Sequence, residues 1–374
     1  MQYRTMGNTG IQISALGFGA MRLPSRRVDG KEVFDHEAGA RLLRQGIDAG
    51  INYVDTAPYY CEAESELIVG EALRDGYRDR VYLSTKLPGE DRGYDASRKR
   101  LEASLARLGT DHIDFYHLWG ISWDRFETQA QPEGQVRMAL QAKEEGLIRH
   151  LSFSFHDAPE NLIKFVDTGL FASVLCQYNL LDRTNEEAIA YAHQKGLGVV
   201  IMGPVGGGRL GVPSQVVQSL LPGKLQSSPQ IALRFVLTNP HVTCALSGMG
   251  NLAMVQENAR VAGSAEPLTP DEQQRIAQSM QENKKRAQLY CTGCNYCMPC
   301  PAEVNIPLNF EIMNYHQVYD LTPYAKEQYA AIGRYPWMPG KPASACVGCG
   351  QCEKKCPQHL KIREQLAQTD QALA

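Results

Sequence analysis

The segment Ala96-Ser-Arg-Lys-Arg-Leu101-Glu-Ala-Ser-Leu105-Ala-Arg-Leu108-Gly109, with the run Ile113-Asp-Phe-Tyr-His-Leu118 that follows it, decides the architecture. Leu101, Leu105 and Leu108 recur at steps of four and three, so they line one face of an α-helix. Gly109 supplies the left-handed residue on which a helix commonly stops. Ile113–Leu118 then reads as a strand. The same alternation extends in both directions. Strand candidates are Ala15–Ala20, Ile51–Asp55, Val81–Lys86, Ile113–Leu118, Ile148–Ser154, Ser173–Tyr178, Gly198–Met202 and Val242–Ser247. Amphipathic stretches such as Glu37–Ala49, Val136–Glu145, Asn185–Gln194 and Pro229–Leu237 lie between them, several ending at glycine (Gly50, Gly146, Gly196). Eight strand–helix repeats within residues 1–262 match an α/β (β/α)8 barrel in count and length. In an open doubly wound sheet, G-x-G-x-x-G ordinarily follows the first strand; here Gly17-Phe-Gly19 is followed by Ala-Met-Arg.

The 374 residues are 43% hydrophobic and 21% charged, enough to bury a full core. With 38 Lys+Arg against 41 Asp+Glu the net charge is −3, and no strongly basic block marks a nucleic-acid surface. The apolar runs fall short of a membrane span and the start, MQYRTMGNTG, lacks an apolar signal core. The expectation is a cytoplasmic protein with neither a nucleic-acid nor a membrane partner. Residues 263–289 read as a linker helix. Its Lys284-Lys285-Arg286 run is either a solvated face or a contact for an electron carrier.

Eight of the eleven cysteines lie in two tight runs near the C-terminus. In a chain of this size the spacing points to metal rather than disulfides. Cys346-x2-Cys349-x2-Cys352-x3-Cys356-Pro357 matches the bacterial ferredoxin ligand run, and Cys291-x2-Cys294-x2-Cys297-x2-Cys300-Pro301 repeats it one residue short. In such runs the cysteine before proline serves the other cluster. Two [4Fe-4S] clusters are therefore expected, one on Cys291, Cys294, Cys297 and Cys356, the other on Cys346, Cys349, Cys352 and Cys300. Structural zinc is the alternative, since paired Cys-x2-Cys units also build zinc ribbons. The 45-residue spacer, 301–345, resembles an α-helical ferredoxin module, so residues 290–374 form a ferredoxin-like domain in this reading. Cys176 and Cys244 read as small core residues.

Active sites of (β/α)8 barrels sit where strands end. Those ends carry Asp55, Lys86 and the segment His117–Trp119, with Tyr60 five residues beyond Asp55. Singly each has an ordinary reading: a helix cap, a solvated lysine, a core tyrosine. Together they make an acid–base set.

With these residues in view, residues 1–262 resemble an aldo-keto reductase. Asp55-Thr-Ala-Pro-Tyr-Tyr60 matches the D-T-A-x-x-Y of that family, and Ser65-Glu66 with Gly70 and Leu73 echoes the motif that follows it. Ser84-Thr-Lys86 resembles the third-strand lysine segment, Gln177-Tyr-Asn179 the sixth-strand Q-x-N, Gly203-Pro-Val-Gly206-Gly207-Gly208-Arg209 the glycine-rich loop, and Glu257-Asn258 the pair near the adenine site. The opening hairpin resembles the plug of the barrel bottom. The resemblance implies hydride transfer between NADP or NAD and a carbonyl or alcohol substrate. Tyr60 would be the general acid, with Lys86 lowering its pKa and Asp55 holding Lys86 charged. Ser154, Gln177, Gly206, Gly207, Gly208, Arg209, Glu257 and Asn258 would contact the nucleotide.

Four positions depart from the family pattern. The histidine expected at the end of the fourth strand is Trp119; His117, on the same strand face, either orients a substrate carbonyl from deeper in the barrel or is an interior histidine. The fifth-strand Ser-Asn pair reads Ser154-Phe155, followed by His156. Met202 stands for the tyrosine under nicotinamide, and Met254 for an arginine that often contacts a 2′-phosphate, so the choice between NAD and NADP stays open. The functional expectation is an iron-sulfur aldo-keto oxidoreductase whose clusters exchange electrons with the barrel site or an external carrier. Hydride moves two electrons and each cluster one, and no flavin motif mediates. The alternatives are a barrel that does ordinary carbonyl chemistry beside clusters that only brace the C-terminal domain, and an electron-transfer or redox-sensing protein with a catalytically altered barrel.

Overall fold

The computed structural model describes residues 1–29, 31–89, 93–130, 134–211, 214–220, 227–264, 266–288, 291, 295–356 and 359–374. Eight parallel strands close into a barrel: β1 (Leu16–Gly19), β2 (Tyr53–Asp55), β3 (Tyr82–Leu87), β4 (Ile113–Trp119), β5 (Ile148–Phe155), β6 (Ser173–Gln177), β7 (Gly198–Met202) and β8 (Cys244–Ser247). Each pairs with its sequence neighbours, and β8 pairs with β1, Leu246 opposite Gly17. The quoted helix runs Tyr94–Leu108 and ends on Gly109 at φ 62°, a left-handed conformation that glycine adopts without steric cost.

Alternation along each strand sorts the layers. Phe153 and Phe155 of β5 face outward onto Phe165 of the helix Pro159–Asp167, at ring distances of 5.3 and 6.3 Å. Ser152 and Ser154 face inward, Ser152 sharing a 2.6 Å hydrogen bond with Ser173 of β6. The inner core is built from Tyr53, Phe115, Leu175, Val200, Cys244 and Leu246. Ile13, within the antiparallel pair Tyr3–Thr5 and Gln12–Ser14, and Met6, just beyond its first strand, complete it.

The chain divides into two compact units, Met1–Gly206 with Ala232–Pro267, and Gly207–Ile231 with Leu268–Ala374. The sequence blocks 1–262, 263–289 and 290–374 are contiguous; the compact units are not, because the segment after β7 groups with the C-terminal region. Within that second unit the Ser214 hydroxyl donates to the Tyr319 carbonyl at 2.8 Å. The charged stretch is a helix, Pro270–Gln288. Three further helices, Ile306–Gln317, Thr322–Ala331 and Ile362–Leu373, bury Phe310, Ala325, Leu366 and Leu373. Among the described residues no helix is long and apolar enough to cross a membrane.

Candidate active site

The ends of β2 and β3 meet in register, Asp55 opposite Ser84, so Lys86 two residues on shares the interior face. Lys86 is 1% and Asp55 3% exposed, a depth at which a charge survives only if paired. The Lys86 ammonium donates to Asp55 Oδ1 at 2.6 Å and to the Thr56 carbonyl at 2.8 Å, while Ser84 Oγ donates to Asp55 Oδ2 at 2.8 Å. Burial pulls the Lys86 pKa down, but Asp55 and Tyr60 together push harder, and the net shift is upward. The lysine therefore stays an ammonium.

Tyr60 lies over this pair, its ring centroid 4.6 Å from Lys86 Nζ. Burial raises its phenol pKa, Lys86 opposes, and burial wins. Lys86 thus acts in the sense the sequence implies without bringing the phenol below its ordinary value. Tyr60 keeps its proton near neutrality, as a proton donor must. The tyrosine is presented on an unusual turn: Cys61, Glu62 and Ala63 have φ of 55°, 52° and 69°, three successive left-handed residues without a glycine. The turn is held by Ser65 N–H donating to Tyr60 O at 3.1 Å and by Ser65 Oγ donating to Ala20 O at 2.7 Å. Glu66, also buried, accepts from Thr85 Oγ1 at 2.7 Å and from Arg107 Nε at 2.8 Å, tying the next helix to β3. Burial pushes the Cys61 thiol up, so it is no ready nucleophile.

His117 stands opposite Lys86 on β4 and has no exposed surface. Its Nε2 lies 3.4 Å from the Tyr53 hydroxyl. Its lack of exposed surface favours the interior alternative over contact with a substrate carbonyl. Burial pulls its pKa down to about 4, Asp55 opposing and Lys86 assisting. Between an unfolded value near 6.5 and about 4 the unfolded chain takes up a proton that the folded barrel refuses. Stability is therefore full above pH 6.5 and declines as pH falls through this window, by about 3 kcal/mol. A His117→Gln variant is expected to lose less of its barrel unfolding temperature between about pH 7 and about pH 4.5 than the parent. Parallel losses would contradict the assignment.

Trp119, two residues beyond His117, occupies the mouth. Its ring meets Tyr60 edge-on at 5.8 Å and Tyr59 at the same distance. Three other groups here carry no assigned role in the sequence. Ser84 was legible, since it lies two residues before Lys86 on one strand face. His156 follows Ser154 by the same step, with Nε2 3.5 Å from Ser154 Oγ, and burial together with the Lys86 charge lowers its pKa. The Thr56 carbonyl had no signal in side-chain identity.

The nucleotide candidates are more dispersed. Ser154 is buried opposite Trp119, and the Gln177 amide packs over Gly203, where a Cβ would collide with it. Asn258 is buried and donates to Ser247 Oγ at 3.0 Å, which fastens the helix Leu252–Ser264 to β8; Glu257 beside it is half-buried. Gly206, Gly207 and Gly208 all have positive φ (60°, 66°, 105°), a backbone that glycine adopts without steric cost. The boundary between the units falls between Gly206 and Gly207. The side chain of Arg209 lies outside the described set. Met202 is a partly buried neighbour of the inner core and Met254 is exposed, so neither replaces the polar contact or ring expected there.

In the second unit one pocket is lined by Cys297, Cys300, Cys346, Cys349 and Cys352. Four of these five form one expected ligand set. Cys291 is half-buried, Cys356 is buried, and Cys294 lies outside the described residues, as do the side chains of Lys284, Lys285 and Arg286. Among the described residues no three His, Cys, Asp or Glu side chains close on one ion position; a cubane carries each thiolate on a different iron and needs no such convergence. The thiol-rich pocket suits an iron-sulfur cluster.

The aldo/keto reductase family description matches residues 15–281, and a 4Fe-4S dicluster domain matches residues 290–361. L-galactose dehydrogenase of Arabidopsis thaliana is 29% identical over 301 residues, covering 73% of this chain and 92% of the relative. An uncharacterized oxidoreductase of Schizosaccharomyces pombe is 30% identical over 263 residues, 67% of this chain and 82% of its own length. Among solved structures, the holo form of aldo-keto reductase AKR11C1 from Bacillus halodurans superposes with a TM-score of 0.63 at 27% identity, covering 74% of this chain and 96% of the other. The closed parallel barrel, the acid–base set at its strand ends and these matches agree: the chain is an oxidoreductase of the aldo/keto reductase family, followed by a 4Fe-4S dicluster domain.

Proposed function

We propose that this protein interconverts a small carbonyl compound and its alcohol with a nicotinamide cofactor, and that its dicluster domain exchanges electrons with the barrel site or with a carrier. The observation that carries the reading is the buried Asp55–Lys86 pair, 2.6 Å apart, beneath the ring of Tyr60.

When bound, the nicotinamide supplies hydride and each iron-sulfur cluster takes or gives one electron. The chain's own residues do the rest. A carbonyl at the mouth accepts the Tyr60 proton as charge develops on its oxygen. Lys86 stabilises the phenolate left behind, at a site where little water screens it. Asp55, held by Ser84, keeps Lys86 charged and aimed. Trp119 supplies a flat wall beside Tyr60. His117, neutral down to about pH 4, adds no competing charge. Ser154, Gln177, Gly206, Gly207, Gly208, Arg209, Glu257 and Asn258 are the proposed nucleotide contacts, and the choice between NADP and NAD is left to titration. The eight cysteines are assigned to two clusters by the crossover pattern, in a cytoplasmic protein.

Consumption of NADPH or NADH with a panel of aldehydes and ketones tests the barrel assignment. Turnover that depends on the Tyr60 hydroxyl supports it. Turnover indifferent to that hydroxyl favours the rival, a redox-sensing or electron-transfer protein with a silent barrel, for which Trp119 is the supporting feature. For the clusters, protein prepared anaerobically is expected to contain close to equal amounts of iron and acid-labile sulfide. Stoichiometric zinc without sulfide would overturn that part.

A further inference from the structure

We propose that the exposed loop and short helix carrying Cys346–Cys352, with the lysines that follow, form the docking surface for an acidic one-electron carrier protein. The inference rests on the iron-sulfur reading above and adds the partner's chemistry and its place of contact.

Three observations converge. The first is access. Cys349 is exposed and Val347, between two cysteines of the run, is 72% exposed, so this cysteine run itself reaches solvent. Electron transfer weakens steeply with separation, and a carrier seated on Val347 approaches this run with little protein between. The second is charge. From Lys341 to Arg363 the chain carries five bases, Lys341, Lys354, Lys355, Lys361 and Arg363, against a single acid, Glu353, in a chain whose net charge is −3. Glu353 is already tied to Arg363 at 2.8 Å. The third is which bases stay available. Lys341 pairs with Glu303 and Lys361 lies 3.7 Å from Glu364, but Lys354 and Lys355 are exposed on the last turn of the helix Gln351–Lys355 and make no ion pair among the described residues. A solvent-reaching cysteine run with an exposed valine, flanked by two lysines that pair with no acid among the described residues, is the complement of a small acidic redox protein, and such complementarity acts mainly on encounter rate and orientation.

The step is a single electron: the reduced carrier is oxidised, a cluster is reduced by the same electron, and no bond or proton changes. The competing explanation is that the lysines only balance the negative charge of a thiolate-ligated cubane.

The test uses the full-length holoprotein with its iron and sulfide content established. An acidic plant-type ferredoxin is the probe and basic cytochrome c the counter-probe. Binding is measured by calorimetry, and cluster reduction by stopped-flow absorbance at low and high salt. The paired change Lys354→Glu with Lys355→Glu is expected to weaken ferredoxin binding at least about tenfold and to abolish most of its salt dependence. Cytochrome c should bind the variant no worse, and dithionite should still reduce its clusters. Lys354→Ala with Lys355→Ala should lose less, in the same direction. Unchanged ferredoxin affinity would overturn the proposal, and so would a variant in which only the cluster potential moves. Absence of iron and sulfide would instead remove the iron-sulfur reading, and the docking surface with it, before any carrier is added.

Discussion

Tyr60→Phe is expected to lower kcat/KM for carbonyl reduction by about 10²–10⁴-fold, the usual contribution of a positioned general acid. The substitution is conservative in packing. Phenylalanine keeps the ring over Lys86 and the edge contact with Trp119, and removes one oxygen. Nucleotide affinity and unfolding temperature should therefore stay near those of the parent, while turnover falls. A loss confined to KM would assign Tyr60 to binding rather than proton transfer. The alkaline behaviour is a second signature. Reduction requires the phenol to be protonated, and burial holds its pKa above the ordinary tyrosine value. Activity limited by this group should be level through neutrality and fall only when the pH rises through the raised pKa.

The second large effect is on Lys86. Lys86→Met leaves the Asp55 carboxylate buried with Ser84 as its remaining side-chain partner, and breaking one side of a buried pair costs about 3–5 kcal/mol. A drop of that size should be visible as a lower barrel unfolding temperature. Activity should fall as well, because the opposing pull on the Tyr60 phenol is gone and its pKa climbs further. Asp55→Asn should destabilise in the same way, by stranding the ammonium on the Thr56 carbonyl. The double variant Asp55→Asn/Lys86→Met separates structure from chemistry. Removing both charges should recover much of the stability, since the net worth of a buried pair is small, and none of the activity. Additive stability losses would show that the two residues do not act as a pair.

How much of this was legible depends on whether a feature is local. Eight strands could be read because each is a short apolar run bounded by a turn, and Asp55 and Lys86 because strand ends mark the catalytic face. Tyr60 followed from its spacing to Asp55. The depth of His117 was not legible: the two-residue step to Trp119 fixes the face but not which of the two reaches the mouth. The direction of the Tyr60 pKa was hidden for a similar reason. Lys86 and burial act in opposite senses, and only the three-dimensional depth decides between them. The interruption of the barrel sequence at Gly207–Ile231 is the least local feature. It depends on contacts such as Ser214 with Tyr319, 105 residues apart, which leave no periodicity or motif behind.

In the proposed reading the clusters exchange electrons either directly with the barrel site or with an outside carrier, and the two routes differ in one readout. The most direct test is the visible absorption of anaerobic protein before and after adding NADPH or NADH. With direct exchange, the iron-sulfur absorbance bleaches with at least one of the two nucleotides. Full retention of that absorbance with both, in protein whose clusters dithionite still reduces, would contradict direct exchange and leave the carrier as the only electron source in the proposal.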